Sequence, residues 1–211
     1  CWMWRATCSS TPPPLNIRES VLTLHRKRIL GAAAIIAAII AAALFIGTRR
    51  GWYLTVRDEH SGELYASYRV EPGEQVGLGF IHSVNLYPLL DVFQVGEDGV
   101  LYAETTIYYQ FGAGVQTELN PGETFRVGED GALIVDNIHQ PFPELSSSAG
   151  GFSDRTLLLG EVSQDYPQIK DLIGVYTGQL ETQVGNTRVI SLSELCGKDS
   201  IITLSCEYRS F

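Results

Sequence analysis

Two patterns of apolar residues divide the chain near residue 50. From Ile29 to Ile46, eighteen residues rich in Ala and Ile run without a charge, and no polar face recurs among them at any helical period. As a helix they rise about 27 Å, close to the hydrocarbon core of about 30 Å. The run therefore predicts one N-terminal transmembrane helix, not an amphipathic helix packed on a soluble core. Beyond Arg50 the apolar period shortens to two. Tyr53 to Val56, Leu64 to Val70 and Gln75 to His82 read as strands, separated by the turns Ser61-Gly62 and Glu71-Pro72-Gly73-Glu74. Leu90 to Val95, a Gly96-Glu97-Asp98-Gly99 turn and the aromatic-rich run Val100 to Phe111 continue the pattern. Two short strands, Thr124 to Val127 and Ala132 to Asp136, follow the turns at Asn120 to Glu123 and Gly128 to Gly131. Strands of this length with glycine turns about every ten residues predict an all-β domain, an antiparallel sandwich or barrel.

The rest of the pattern is less regular. Ile138 to Gly151, with Pro141, Pro143, three serines and Gly150-Gly151, reads as a surface loop that packs little. Arg155 to Leu159 resumes a strand. Ser163 to Tyr176 fits a short helix or an irregular crossover equally well. Val189 to Leu195 and Ile201 to Tyr208 flank Cys196-Gly197-Lys198-Asp199-Ser200 in the manner of a closing hairpin. The 161 residues after Arg50 suit one domain.

The flanks of the apolar run set its expected topology. Arg26, Lys27 and Arg28 precede it, and Arg49 and Arg50 close it. Cleavable signal segments have apolar cores of about 7 to 15 residues ending at a small-x-small site. Here the small residues Ala41 and Ala43 lie inside the run and the polar edge offers no such site, which favours an uncleaved anchor. The Lys/Arg bias prefers the N-terminus in the cytoplasm. The organisation expected is a cytoplasmic segment 1–25, an anchor 26–50 and an extracytoplasmic β domain 51–211. Residues 1–20, opening on Cys1 and containing Ser9 to Pro14, show neither period and read as disordered. Val21 marks a candidate alternative start.

Charge follows the same division. Residues 1–50 hold seven Lys/Arg and one Glu, whereas residues 51–211 hold eight Lys/Arg and 23 Asp/Glu, so a net +6 precedes a net −15. An acidic exported domain repels phosphate backbones and anionic headgroups, which excludes nucleic acid as a partner and leaves solubility as the plainest role of the charge.

Chemistry concentrates in Phe80-Ile81-His82-Ser83-Val84, followed by Pro88 and Asp91-Val92-Phe93. His82, Ser83 and Asp91 within ten residues invite a hydrolase reading. No Gly-x-Ser-x-Gly surrounds Ser83, however, and adjacent His82 and Ser83 would face opposite sides of a strand. A strand-end His hydrogen-bonded to Asp91 or to loop backbone is the simpler expectation. Gly112 and Gly114 around Ala113 allow close backbone approach, or a plain bulge. Cys196 and Cys206 are either a disulfide of the oxidising exterior or two buried thiols. His60, His82 and His139 lack close ligand pairs at metal spacing, so neither metal nor cofactor is expected.

An anchor, a strand running into His82-Ser83-Val84, the step through Pro88 to Asp91-Val92-Phe93, and then Phe111-Gly112-Ala113-Gly114 resemble the bacterial and archaeal domain-of-unknown-function family eighteen-fifty. The resemblance runs from about Trp52 to the end, with Val189-Ile190-Ser191-Leu192 and Leu195 matching its last strands. Its members are small exported domains encoded beside TAXI-type TRAP transporters. The resemblance thus implies an accessory role near a carboxylate or amino-acid transporter, with permease or solute-binding protein as partner. Val115-Gln116 stands where members continue with Leu-Pro, and Gly160 to Gly185 is longer than in the family. Two classes remain open. One is a membrane-anchored, non-catalytic binding domain presenting His82, Ser83, Asp91, Gly112 and Gly114. The other is an extracytoplasmic hydrolase-like enzyme using His82, Ser83 and Asp91.

Overall fold

The computed structural model describes residues 17–47, 50–111 and 118–210. The chain divides into two compact units, Cys1–Thr48 and Arg49–Phe211. The first contains α1, Ile17–Gly47, whose later part carries Ile, Leu and Ala on every side. Among the described residues no helix is long and apolar enough to cross a membrane.

The second unit is mostly β and contains two antiparallel sheets. β1 (Gly51–Asp58), β2 (Leu64–Val70), β8 (Leu145–Ser148) and β12 (Ile201–Arg209) form the smaller, in the order β2-β1-β12-β8. The larger contains β3 (Gln75–Ile81), β4 (Pro88–Val95), β5 (Leu101–Tyr108), β6 (Thr124–Val127), β7 (Leu133–Phe142), β9 (Thr156–Gly160), β10 (Glu181–Val184) and β11 (Thr187–Ser191), in the order β10-β11-β9-β3-β4-β5-β7-β6.

Alternation decides which faces meet. Leu54, Val56, Ile202 and Leu204 of the small sheet share one core with Val76, Leu78, Phe93, Leu157, Leu159 and Ile190 of the large one. The outer face of the small sheet is polar: Thr55 donates to the Ser205 carbonyl at 3.1 Å, and Arg57 pairs with Glu207 at 2.9 Å. The far face of the large sheet packs on α2 (Val162–Ile169), whose Val162, Asp165, Tyr166 and Ile169 are buried at i, i+3, i+4 and i+7. Covered on both faces, Thr156 to Leu159 of β9 is buried at every position. Gly77 and Gly79 leave room for α2 and the segment after it, since a Cβ there would press on Val162 and Ile173.

Ser163 to Tyr176 begins within α2, which continues as a 3₁₀ turn at Lys170–Leu172. Ile138 to Gly151 is not a loosely packed loop. β7 runs on to Phe142, whose ring meets Phe93 edge-to-face at 5.7 Å, β8 pairs with β12, and Ala149 is fully buried. A wide bulge hid the strand. Ala103 pairs with Gln140 and Thr105 with Asp136, so Asn137, Ile138 and His139 oppose Glu104 alone. Asn137 and His139 take φ of 63° and 50°, and Ile138 between them packs on the core.

The expected closing hairpin is also absent. β11 pairs with β9 and β10 in the large sheet, β12 with β1 and β8 in the small one, and α3 (Leu192–Cys196) carries the chain between them. Ser191 caps α3, its Oγ accepting from Glu194 N at 3.3 Å. Cys196 thus ends a helix while Cys206 lies opposite Leu54 within a strand, and both are free thiols. With no shared hairpin, nothing in the local register brings the two sulfurs together. Burial pushes Cys196 up to about 12, with Asp58 adding to it, and Cys206 up to about 11.

Candidate functional site

β3 ends at Ile81, before His82. The following residues close a short loop: His82 N donates to Tyr87 O and Leu86 N donates to His82 O, each at 2.9 Å. His82 and Ser83 therefore belong to a turn, and both line one cleft instead of opposite strand faces. The other wall is the segment between β8 and β9. It is pinned through side chains and backbone: Ile81 N donates to Ser153 Oγ at 3.0 Å, Ser193 N to Asp154 Oδ1 at 3.1 Å, and Arg155 N to Ala149 O at 3.1 Å. Asp154 and Ser153 are buried by these bonds. Tyr176 holds the cleft's edge, its hydroxyl accepting from Gly151 N and donating to Gly151 O. The Lys198 ammonium sits 3.7 Å from the Tyr176 ring centroid.

Between these walls lies a cleft of about 460 Å³. Phe80, Ile81, Leu89 and Phe152 supply apolar surface; His82, Ser83, Ser148 and Arg155 supply polar groups. The Arg155 guanidinium carbon stands 3.9 Å over the centre of the Phe80 ring. Partial burial lowers the Arg155 pKa from its usual value, against the influence of Tyr176. Its electrostatic setting is unlike that of the other described arginines of the β unit after Arg50. Arg57, Arg69, Arg126, Arg188 and Arg209 each have a carboxylate within 4 Å. Among the described residues Arg155 has none, although the domain is strongly acidic.

Two other concavities differ in this respect. A shallower groove of about 580 Å³ lies by Gly73, Gln75, Glu161 and Asn186. Its amides are already engaged, Gln75 with Ser163 and Asn186 with Glu161. A third, of about 350 Å³, contains Arg126 and Lys170, which pair with Asp136 and Asp130. Chemistry therefore favours the cleft at Arg155 over the larger groove.

Of the residues singled out from sequence, His82 and Ser83 line the cleft and Asp91 does not. Asp91 lies beside Leu78 and Thr106 in the register of β3, β4 and β5, and its Oδ1 accepts from Thr106 Oγ1 at 2.7 Å. It keeps some exposed surface, yet protein encloses it on most sides and desolvation raises its pKa, opposed by the Thr106 hydrogen bond. His82 Nδ1 accepts the Val84 N–H at 3.2 Å. An Nδ1 lone pair engaged in this way does not serve as a base for Ser83. Gly112 and Gly114 lie outside the described residues. Among the described residues no three His, Cys, Asp or Glu converge as metal ligands.

Phe80 stands in the stretch singled out from sequence, although without a role of its own; Ser148, Phe152 and Arg155 were missed. A signal existed for the last: Arg155 is one of eight basic residues after Arg50 and directly precedes β9, with its three consecutive leucines.

Residues 76–165 match the model of a family described as a domain of unknown function, DUF1850. The resemblance read from the sequence holds over that span, which contains every residue of the cleft and stops short of Val189 to Leu195. No curated protein and no solved structure matches the chain.

Proposed function

We propose that this chain is a membrane-anchored, extracytoplasmic binding module serving a TAXI-type TRAP transporter, held to the cytoplasmic membrane by Ile29 to Ile46. The observation that carries the binding role is the cleft between the 82–87 loop and the 148–155 segment, where apolar walls surround a few convergent polar groups. The anchor rests on the length and apolarity of the run and its basic flanks, and the transporter on the resemblance. Catalysis is the weaker reading. The Asp91 carboxylate is engaged by Thr106, and the His82 nitrogen that would face a carboxylate in a triad accepts a backbone N–H instead.

The test is affinity purification of the full chain from native membranes in mild detergent. Recovery of a TRAP permease or solute-binding protein, weakened by His82→Ala with the circular dichroism spectrum unchanged, is the expected result. Purification of the chain alone would overturn the transporter role, and turnover of an ester or amide substrate that depends on Ser83 would overturn the non-catalytic one.

A further inference from the structure

We infer that the cleft recognises a small organic carboxylate, with Arg155 as the group that binds its anionic end and Phe80 as the platform that holds Arg155 in place. The inference deepens the binding role proposed above and does not depend on the transporter.

It rests first on an unanswered cation. Five described arginines of this domain are ion-paired, and Arg155, half-buried, is not. Among the described residues its guanidinium makes no side-chain hydrogen bond to protein, and its contact is with the face of Phe80. A ring face orients the guanidinium plane but satisfies none of its five N–H groups. Those groups are not sealed off, because the sole buried polar side-chain atom without a partner among the described residues is Ser67 Oγ. They open on the cleft that Arg155 lines. A guanidinium held over a ring and unpaired matches the planar, two-oxygen acceptor of a carboxylate.

The surroundings narrow the class further. Among the described residues no acidic side chain lines the cleft, so none of them supplies the carboxylate that would recognise a cationic ligand. Ser148 and Ser83 hydroxyls add neutral hydrogen-bonding groups, while Ile81, Leu89 and Phe152 offer surface to a hydrocarbon body. One guanidinium among apolar walls suits a singly charged carboxylate with an apolar tail better than a polyphosphate, which would call for several cations or a nest of backbone N–H groups.

The experiment is calorimetric titration of the full chain in detergent with a panel of acetate, isovalerate, phenylacetate and succinate, with phenylacetamide and inorganic sulfate as comparisons. Isovalerate or phenylacetate is expected to bind, phenylacetamide to bind at least tenfold more weakly, and Arg155→Gln to abolish the difference between acid and amide. Arg155→Lys should retain part of the affinity, since it keeps the charge and loses the fork. A structural role for Arg155 predicts instead that Arg155→Gln lowers the melting temperature. The binding role predicts a melting temperature unchanged or raised, because a half-buried, unpaired charge has been removed. Silence of every carboxylate, equal affinity for acid and amide, or binding indifferent to Arg155→Gln would overturn the inference. Recovery of the transporter partner is a separate measurement, so the two readings fail separately.

Discussion

Gly79 faces Ile173 so closely that a methyl group at position 79 would stand 2.7 Å from Ile173 Cγ2. Ile173 is fully buried, and its β-branched side chain has little freedom to turn aside. Gly79→Ala should therefore destabilise the domain by about 1–3 kcal/mol, despite the smaller entropy that alanine loses on folding. Pairing it with Ile173→Ala should cost less than the sum of the two single changes, measured by urea unfolding. Additive losses would mean that the two positions do not share this contact.

Asp91 gives the domain a pH dependence of unusual sign. Its folded pKa lies above the unfolded one because burial disfavours the charge. The resulting stabilisation is present in full below the unfolded carboxylate pKa and is lost as pH rises through the folded value. Asp91→Asn, which keeps the acceptor for Thr106, should make the domain more stable than the wild type at neutral pH, with the difference vanishing toward pH 3. Urea midpoints across that range decide it, and a difference that does not change with pH would count against the assignment.

Cys196 and Cys206 should alkylate slowly in the folded protein. With pKa values near 12 and 11, their thiolate populations at pH 8 fall about a thousandfold and a hundredfold below that of an ordinary thiol of pKa 9. Iodoacetamide labelling resolved by peptide mass should modify both without reductant after unfolding in urea. A requirement for reductant would show a bridge in the native protein.

Residues 51–211 should fold without the preceding segment, because the two sheets and α2 close their apolar faces on one another. The truncated chain should be soluble, monodisperse on gel filtration and β-rich by circular dichroism. A helix-dominated spectrum would refute the β assignment. Aggregation would instead mean that the deleted part covers apolar surface of the domain.

Strand positions were legible where one face meets the core and the other meets water or a turn, as in Leu64 to Val70. They were illegible where the backbone leaves the ladder. Asn137 and His139 adopt left-handed conformations without glycine to announce them, so the strand through Phe142 looked like a loop. The helical start after Ser191 depends on a capping bond that a two-residue period conceals, so a crossover looks like a hairpin. His82 and Ser83 stood out by residue type alone. Arg155 did not, because its meaning lies in the carboxylate that it lacks among the described residues, and a missing ion pair is visible only in three dimensions.

The pairing of β1 with β12 joins the two ends of the domain, Gly51 opposite Arg209. A pull that separates those ends loads this ladder like a zip, so its bonds break in succession from the open end and not all at once. The domain should yield at low force along that axis. The same closeness makes it a candidate for circular permutation: a short linker from residue 210 to residue 51 would span neighbouring strands, and new termini in the exposed turn at Ser61-Gly62 would leave the shared core of the two sheets uncut.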